Sequence, residues 1–244
     1  MTAVEDIHGG SGTRWEGYWQ QAPEEPGRVF WDAAPEVTVE RHRPLFAPHF
    51  TDDLPLLDLG CGTGRQTVVL AGHHTPVLGL DISPAAVALA RRRTGAAGVD
   101  FRAADVTDPD VAARLHAELG DSHVYVRGVL HQCAPPERAR FAEAVAVLVG
   151  TRGRAFVCEP AAAAKESLRG LMGRPGGPPP TLAAVFEHGI APTEMPDEEV
   201  PAAFAGAGLA VLASGREPLV TTEPGPDGAA VRLPAQWLVV GRNG

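Results

Sequence analysis

The sequence predicts an α/β protein built on a doubly wound, mostly parallel sheet, and three features carry that prediction. From Leu54 onward, short apolar runs alternate with Ala- and Arg-rich stretches of helical length, the texture of successive β–α–β units. A glycine-rich turn, LGCGTG at 59–64, joins the first apolar run to the first helical stretch. Ser83-Pro84 then reads as a helix start with proline at its first position. The crossover rule makes each of these units right-handed.

Taken in order, residues 1–13 (MTAVEDIHGGSGT) are acidic and Gly-rich without an apolar stretch, so a mobile tail is expected there and no secretory signal. Trp15, Tyr18 and Trp19 fall at i, i+3 and i+4, one face of a short helix. Pro and Gly at 23–27 end it, and 29–50 reads as a second, mixed helical stretch ending near Pro48. Strands are expected at 55–59, 76–81, 99–103, 122–127 and 154–159, with helices at 64–72, 84–93, 109–119 and 135–149. The pattern then lapses. Residues 161–197 hold an Ala-rich stretch, the run RPGGPPP at 174–180, which suits neither helix nor central strand, and a helix-like piece at 182–188. An excursion of this length is expected to be a lid or a disordered loop. A helix at 197–207, stopped by Gly208, precedes two strands at 210–219 and 235–240, joined through a Pro-Asp-Gly turn at 226–228. The expected division is a cap at 1–50, a core at 51–160, a lid at 161–197 and a C-terminal helix and hairpin at 198–244.

The 244 residues carry 21 Lys and Arg against 30 Asp and Glu, a formal charge of −9. Such a surface repels phosphate backbones and anionic membranes, so neither nucleic acid nor membrane is expected as a partner. No run approaches a membrane span, and a soluble, cytoplasmic protein is expected, monomeric or homodimeric. Three scattered cysteines, 61, 133 and 158, fit neither a disulfide framework nor a cysteine metal site. The nine histidines show no ligand spacing, so no metal is expected.

The chemistry is concentrated in LLDLGCGTG, residues 56–64. Asp58 is followed by Gly60, Cys61, Gly62, Thr63 and Gly64 at a strand-to-helix turn. Such a turn lets a ligand approach bare backbone and aims free helix N–H groups at it. A dinucleotide fingerprint, G-x-G-x-x-G, would need glycine at 65 or 67, where Arg65 and Thr67 stand. An NAD(P)-dependent oxidoreductase is therefore the weaker reading. The pattern D-x-G-x-G-x-G instead resembles that of class I S-adenosylmethionine-dependent methyltransferases, the small-molecule type on a seven-stranded Rossmann-like sheet with an antiparallel C-terminal strand pair. In that family the turn holds the methionyl and ribose part of the cofactor. The resemblance covers residues 54–160 well and leaves the N-terminal 50 and the lid as variable parts.

The resemblance implies further cofactor contacts. Asp81, in LGLDIS beside Ile82, suits a carboxylate accepting from both ribose hydroxyls. Asp105, in FRAADV, suits one accepting from the adenine amino group, with the Val106 N–H beside the ring. A helix N-cap is the plain alternative for either. In VYVRGVLHQC, Arg127 and Gly128 end the fourth strand, where open α/β sheets place ligands. Arg127 either clamps a carboxylate of cofactor or substrate or pairs with a nearby acid.

Methyl transfer is an in-line displacement that gains from positioning and, for a protonated acceptor, from a base. His131 is a candidate base or else a structural histidine. Glu159, in VCEP, is a candidate base or cation binder or else a cap, and His188 a further acid–base candidate. His188 and its neighbour Glu187 are adjacent on a helix, so at most one is expected to reach a pocket. Trp15, Tyr18, Trp19 and Trp31 either dock the N-terminal helix or close over the substrate. The expected activity is O- or N-methylation of a small molecule, with secondary metabolism as its setting. The alternative is an S-adenosylmethionine-binding protein with a non-methylating or regulatory role.

Overall fold

The computed structural model describes residues 10–243 apart from 52, 96, 97, 192 and 226. A seven-stranded sheet has the order β3-β2-β1-β4-β5-β9-β6. The strands are β1 (Leu56–Leu59), β2 (Val77–Asp81), β3 (Asp100–Ala103), β4 (His123–Arg127), β5 (Arg154–Pro160), β6 (Ala210–Arg216) and β9 (Ala235–Gly241). Strands β1 to β5 pair in parallel, and β9 runs antiparallel to both β5 and β6. The doubly wound fold with an antiparallel C-terminal pair is thus as expected.

Helices α3 (Arg65–Ala71), α4 (Pro84–Thr94), α5 (Pro109–Leu119) and α6 (Pro135–Val149) link the parallel strands. Three of them begin on proline, which loses no helical hydrogen bond at that position. Ser83 caps α4 and Asp108 caps α5 by accepting N–H bonds from Ala86 and Asp110. Every residue of β1 is buried, because helices cover both faces of the sheet. Leu57 and Leu59 face a layer with Phe141, Leu148 and Phe204. Leu56 faces the opposite layer, with Phe46, Tyr125, Phe156 and Val239.

The ends of the chain depart from expectation in four places. Residues 10–13 belong to α1 (Gly10–Gln21), not to a tail, and 1–9 lie outside the described residues. Glu16 anchors α1, its Oε2 accepting from Ser83 Oγ at 2.6 Å and Ala85 N at 3.0 Å. The stretch 29–50 is helical only in a 3-10 turn at Pro35–Val37 and in α2 (Val39–Phe46), since 29–34 turns back on itself with Asp32 N donating to Val29 O. The excursion at 161–197 contains two helices, α7 (Ala164–Met172) and α8 (Pro180–Glu187), on either side of the proline-rich run. The helix expected at 197–207 is α9 (Glu199–Gly206).

The fourth departure is the hairpin. The turn around 227 joins not the two sheet strands but an inserted pair, β7 (Leu219–Pro224) and β8 (Ala230–Leu233), which form a separate two-stranded sheet. Pro218 and Pro234 flank this pair, and a residue without an N–H cannot extend a ladder. Asp227 Oδ1 accepts from Ala229 N at 3.0 Å within the turn. Pro226 of the expected turn lies outside the described residues.

Candidate active site

The carboxyl ends of the parallel strands open into a cavity of about 870 Å³, a size typical of small-molecule sites. One end is built by the glycine turn. Gly60 N and Cys61 N both donate to Leu80 O, at 2.8 and 3.0 Å, tying the turn to β2. Gly60 has φ +74°, and a Cβ there would come within 2.5 Å of Val129. Gly62 has φ +51° and lies beneath Trp19, which a Cβ would approach to 3.1 Å. Gly64 does not line the cavity. Its φ of +72° begins α3, and a Cβ would press on Phe101 and Ala90. It is therefore a packing glycine.

Three acids face this end. Asp81 takes an N–H on each oxygen, from Gly62 at 2.9 Å and Ser83 at 3.0 Å, and each oxygen keeps a lone pair for another donor. Burial lifts its carboxyl to about 6, against those N–H bonds. Asp58 accepts from Thr67 Oγ1 at 2.6 Å, and burial lifts it to about 7. Asp105 is exposed at the cavity edge, its Oδ1 accepting from Thr107 N and Oγ1 at 2.9 and 2.7 Å. Ile82 and the buried Val106 flank these carboxylates. Cys61 touches the cavity, and its buried thiol is pushed well above the ordinary cysteine range, so it stays protonated.

A buried acid absent from the sequence expectations completes this end. Asp32 accepts from Thr63 Oγ1 at 2.9 Å and pairs with Arg93 at 3.1 Å, so the N-terminal segment is bolted to the glycine turn and to α4. Nothing local signals this role, because its partners lie 31 and 61 residues away.

Trp15, Trp19 and Trp31 line the cavity, whereas Tyr18 packs behind them. Trp15 and Trp31 meet edge to face at 5.4 Å, and Tyr18 meets Trp19 at 5.2 Å. The His188 ring joins this cluster against Tyr18 at 5.7 Å, and its Nδ1 bonds Ala184 O. Neither His188 nor the exposed Glu187 borders the cavity. Both lie at the C-terminal end of α8, Glu187 toward solvent and His188 against Tyr18, off the cavity lining.

At the centre, His131 lines the cavity and Glu159 does not. Glu159 is fully buried and accepts from the backbone N–H of Val129, Leu130 and His131 at 2.8, 2.9 and 3.2 Å. Its Oε2 also lies 2.8 Å from His131 Nδ1. With Nδ1 donating to the carboxylate, Nε2 is the acceptor nitrogen, here 2.6 Å from the Gln132 amide. Thr193, from the 161–197 segment, and the buried Arg138, from α6, clamp the same turn, Thr193 N donating to His131 O at 3.1 Å and Arg138 Nε to Cys133 O at 3.2 Å. Gly128, with φ +70°, lets the chain leave β4 directly beside the His131 ring.

The far end is mainly apolar, walled by Phe30, Leu168, Met172, Leu182, Phe186 and Leu233, with Lys165 and Arg169 of α7 also on the lining. Arg127 lines the cavity as well. No group of metal-binding side chains occurs among the described residues, nor a helix long and apolar enough to cross a membrane.

The polar end fits the cofactor that the sequence resemblance implies. Bare backbone at Gly60 and Gly62 lines the cavity, and Asp81 keeps acceptor capacity for a pair of hydroxyls. Comparison with known proteins agrees. Residues 56–153 match the model of a methyltransferase domain. The crystal structure of an S-adenosylmethionine-dependent methyltransferase from Anabaena variabilis superposes with a TM-score of 0.89 at 30% identity, over 100% of this chain and 99% of that one. A trans-aconitate 2-methyltransferase from Methylobacterium nodulans is 33% identical over 161 residues, 63% of this chain and 58% of that protein. A magnesium-protoporphyrin O-methyltransferase from Rhodobacter capsulatus is 33% identical over 91 residues, 35% of this chain and 41% of that protein. The chain thus spans less than two thirds of the length of either curated relative. The superposition over the whole length of the Anabaena protein and the match to a methyltransferase domain lead to one assignment: this chain belongs to the S-adenosylmethionine-dependent methyltransferase family.

Proposed function

We propose that the protein methylates a small molecule, at oxygen or nitrogen, with His131 as the general base. The observation that carries this reading is the two-ended cavity, polar at the glycine turn and apolar beyond it, with His131 on its wall between them. Its volume suits a cofactor and a compact acceptor, and the net charge of −9 disfavours a nucleic-acid substrate. In this reading residues 51–160 bind the cofactor, 1–50 cap it and 161–197 cover the acceptor. Asp81 holds the ribose hydroxyls, Asp105 the adenine edge, and the turn at 60–63 the methionyl part.

When bound, S-adenosylmethionine supplies an electrophilic methyl group on a sulfonium. The chain's own work is to exclude water, orient the acceptor and take its proton. His131 Nε2 receives that proton once the acceptor displaces the Gln132 amide. Glu159 is a positioning residue, since its carboxylate fixes the tautomer and stabilises the imidazolium that forms. His131→Ala is expected to lower turnover about 100-fold or more while S-adenosylhomocysteine affinity is nearly kept. The check is single-turnover formation of S-adenosylhomocysteine on a panel of hydroxyl and amine acceptors. Equal loss of turnover and cofactor affinity would make His131 a cofactor-site residue. Bound cofactor with no methyl consumed on any acceptor would favour a non-methylating role.

A further inference from the structure

Arg127 is an unusual cation for its surroundings. It ends β4 on the sheet face it shares with Tyr125, because alternate strand residues project to the same side. Tyr125 belongs to the layer that contains Phe156, Cys158, Leu219 and Leu233, so the guanidinium lies toward the apolar end of the cavity. Nη1 donates to Trp31 O and Nη2 to Val220 O, each at 3.1 Å. A guanidinium has five N–H donors, and these bonds use two. Nε is buried without a partner. Arg93 and Arg138, by contrast, each reach a carboxylate, Arg93 on Asp32 and Arg138 on Glu199. Asp58 feels the field of Arg127, but its hydrogen bond goes to Thr67.

We propose that the acceptor carries, apart from the hydroxyl or amine that is methylated, an apolar body and a carboxylate held by Arg127. The inference rests on the methyl-transfer reading and adds the class of acceptor. A cation with unspent donors beside apolar walls is costly unless an anion accepts from it. The two backbone carbonyls hold the fork in place before anything binds, so little side-chain entropy is lost on capture. The hydrocarbon body of the acid then lies against Leu168, Met172, Leu182 and Phe186.

The test is calorimetric. The full chain, saturated with S-adenosylhomocysteine, is titrated with 3-phenylpropanoate and octanoate and with the neutral amide of each. Each acid is expected to bind about tenfold or more tighter than its amide. In Arg127→Met the difference disappears, while S-adenosylhomocysteine affinity stays within about threefold of wild type. Equal binding of acid and amide by the wild type, or binding of neither acid, overturns the proposal, and that comparison needs no variant. Discrimination that survives in Arg127→Met also overturns it. A matching loss of S-adenosylhomocysteine affinity in that variant assigns Arg127 to the cofactor's own carboxylate and overturns it too. If S-adenosylhomocysteine does not bind the wild type, the cofactor reading itself falls, and this inference falls with it.

Discussion

At the polar end of the cavity, the facing groups come from three consecutive strand ends, Asp58, Gly60 to Thr63, Asp81 and Asp105, held by backbone hydrogen bonds between neighbouring strands. At the apolar end, they come from α7, α8, the inserted β7–β8 pair and residues 30–31, brought together by side-chain packing and by scattered hydrogen bonds such as Thr222 N to Phe30 O at 2.9 Å. The first end is fixed by backbone geometry and tolerates no added Cβ at Gly60, whereas the second is a wall of side chains on elements outside the main sheet. The same fold can thus keep one ligand and change the other by altering residues that leave the sheet untouched.

The contrast can be broken by substitution, and the largest effect is expected at Gly64. Gly64→Val puts a branched side chain at φ +72°, with its Cβ 2.7 Å from Phe101. It should cost roughly 2–4 kcal/mol of stability and abolish S-adenosylhomocysteine binding, as measured by denaturant midpoint and calorimetry. A stable variant with normal binding would show that the turn is not the rigid element described.

A smaller effect is expected from pH. Burial holds the Asp81 carboxyl at about 6, against 3.8 for an ordinary aspartate. The folded apoprotein keeps this proton longer than the unfolded chain does. Its contribution to stability is therefore full below pH 3.8 and is lost as pH rises through about 6. Ribose hydroxyls donate to the ionised form, so cofactor affinity runs the other way and falls by up to about tenfold per pH unit below 6. Asp81→Asn should remove that acid arm from the affinity profile. An arm that persists in the variant would transfer it to another group, with Asp58 the first candidate.

The smallest effect on the cofactor is expected from the apolar end. Leu182→Ala trims a buried cavity-wall side chain and should cost about 1–2 kcal/mol of stability, below a full core truncation because the site already faces a void. It should change S-adenosylhomocysteine affinity by less than about threefold while altering which acceptors turn over. A larger loss would show that the two ends are coupled.

The same contrast explains what the sequence discloses. Glycine spacing and the acids at 58, 81 and 105 are local patterns tied to strand ends, so the parallel strands and the groups facing the polar end were legible residue by residue, whereas the strand order was not. Asp32, Glu16 and Gln132 were not, because their roles depend on contacts or rotamers that no spacing encodes. The Pro-Asp-Gly signal did mark a turn, but hydrophobic alternation across 210–240 could not tell one long hairpin from a sheet pair with an insertion. Glu159 reads from the sequence as a base or cation binder or else a cap, and its hydrogen bonds to the N–H groups of 129–131 match the capping alternative.

The most direct test is a side-by-side calorimetric titration of the wild type and Asp81→Ala with S-adenosylhomocysteine, using NAD and NADP as controls. The expected result is micromolar binding of S-adenosylhomocysteine alone, weakened in the variant by ~1–3 kcal/mol as two accepted hydrogen bonds are lost. Unchanged affinity in Asp81→Ala, or binding of a dinucleotide in place of S-adenosylhomocysteine, would contradict the assignment of the polar end.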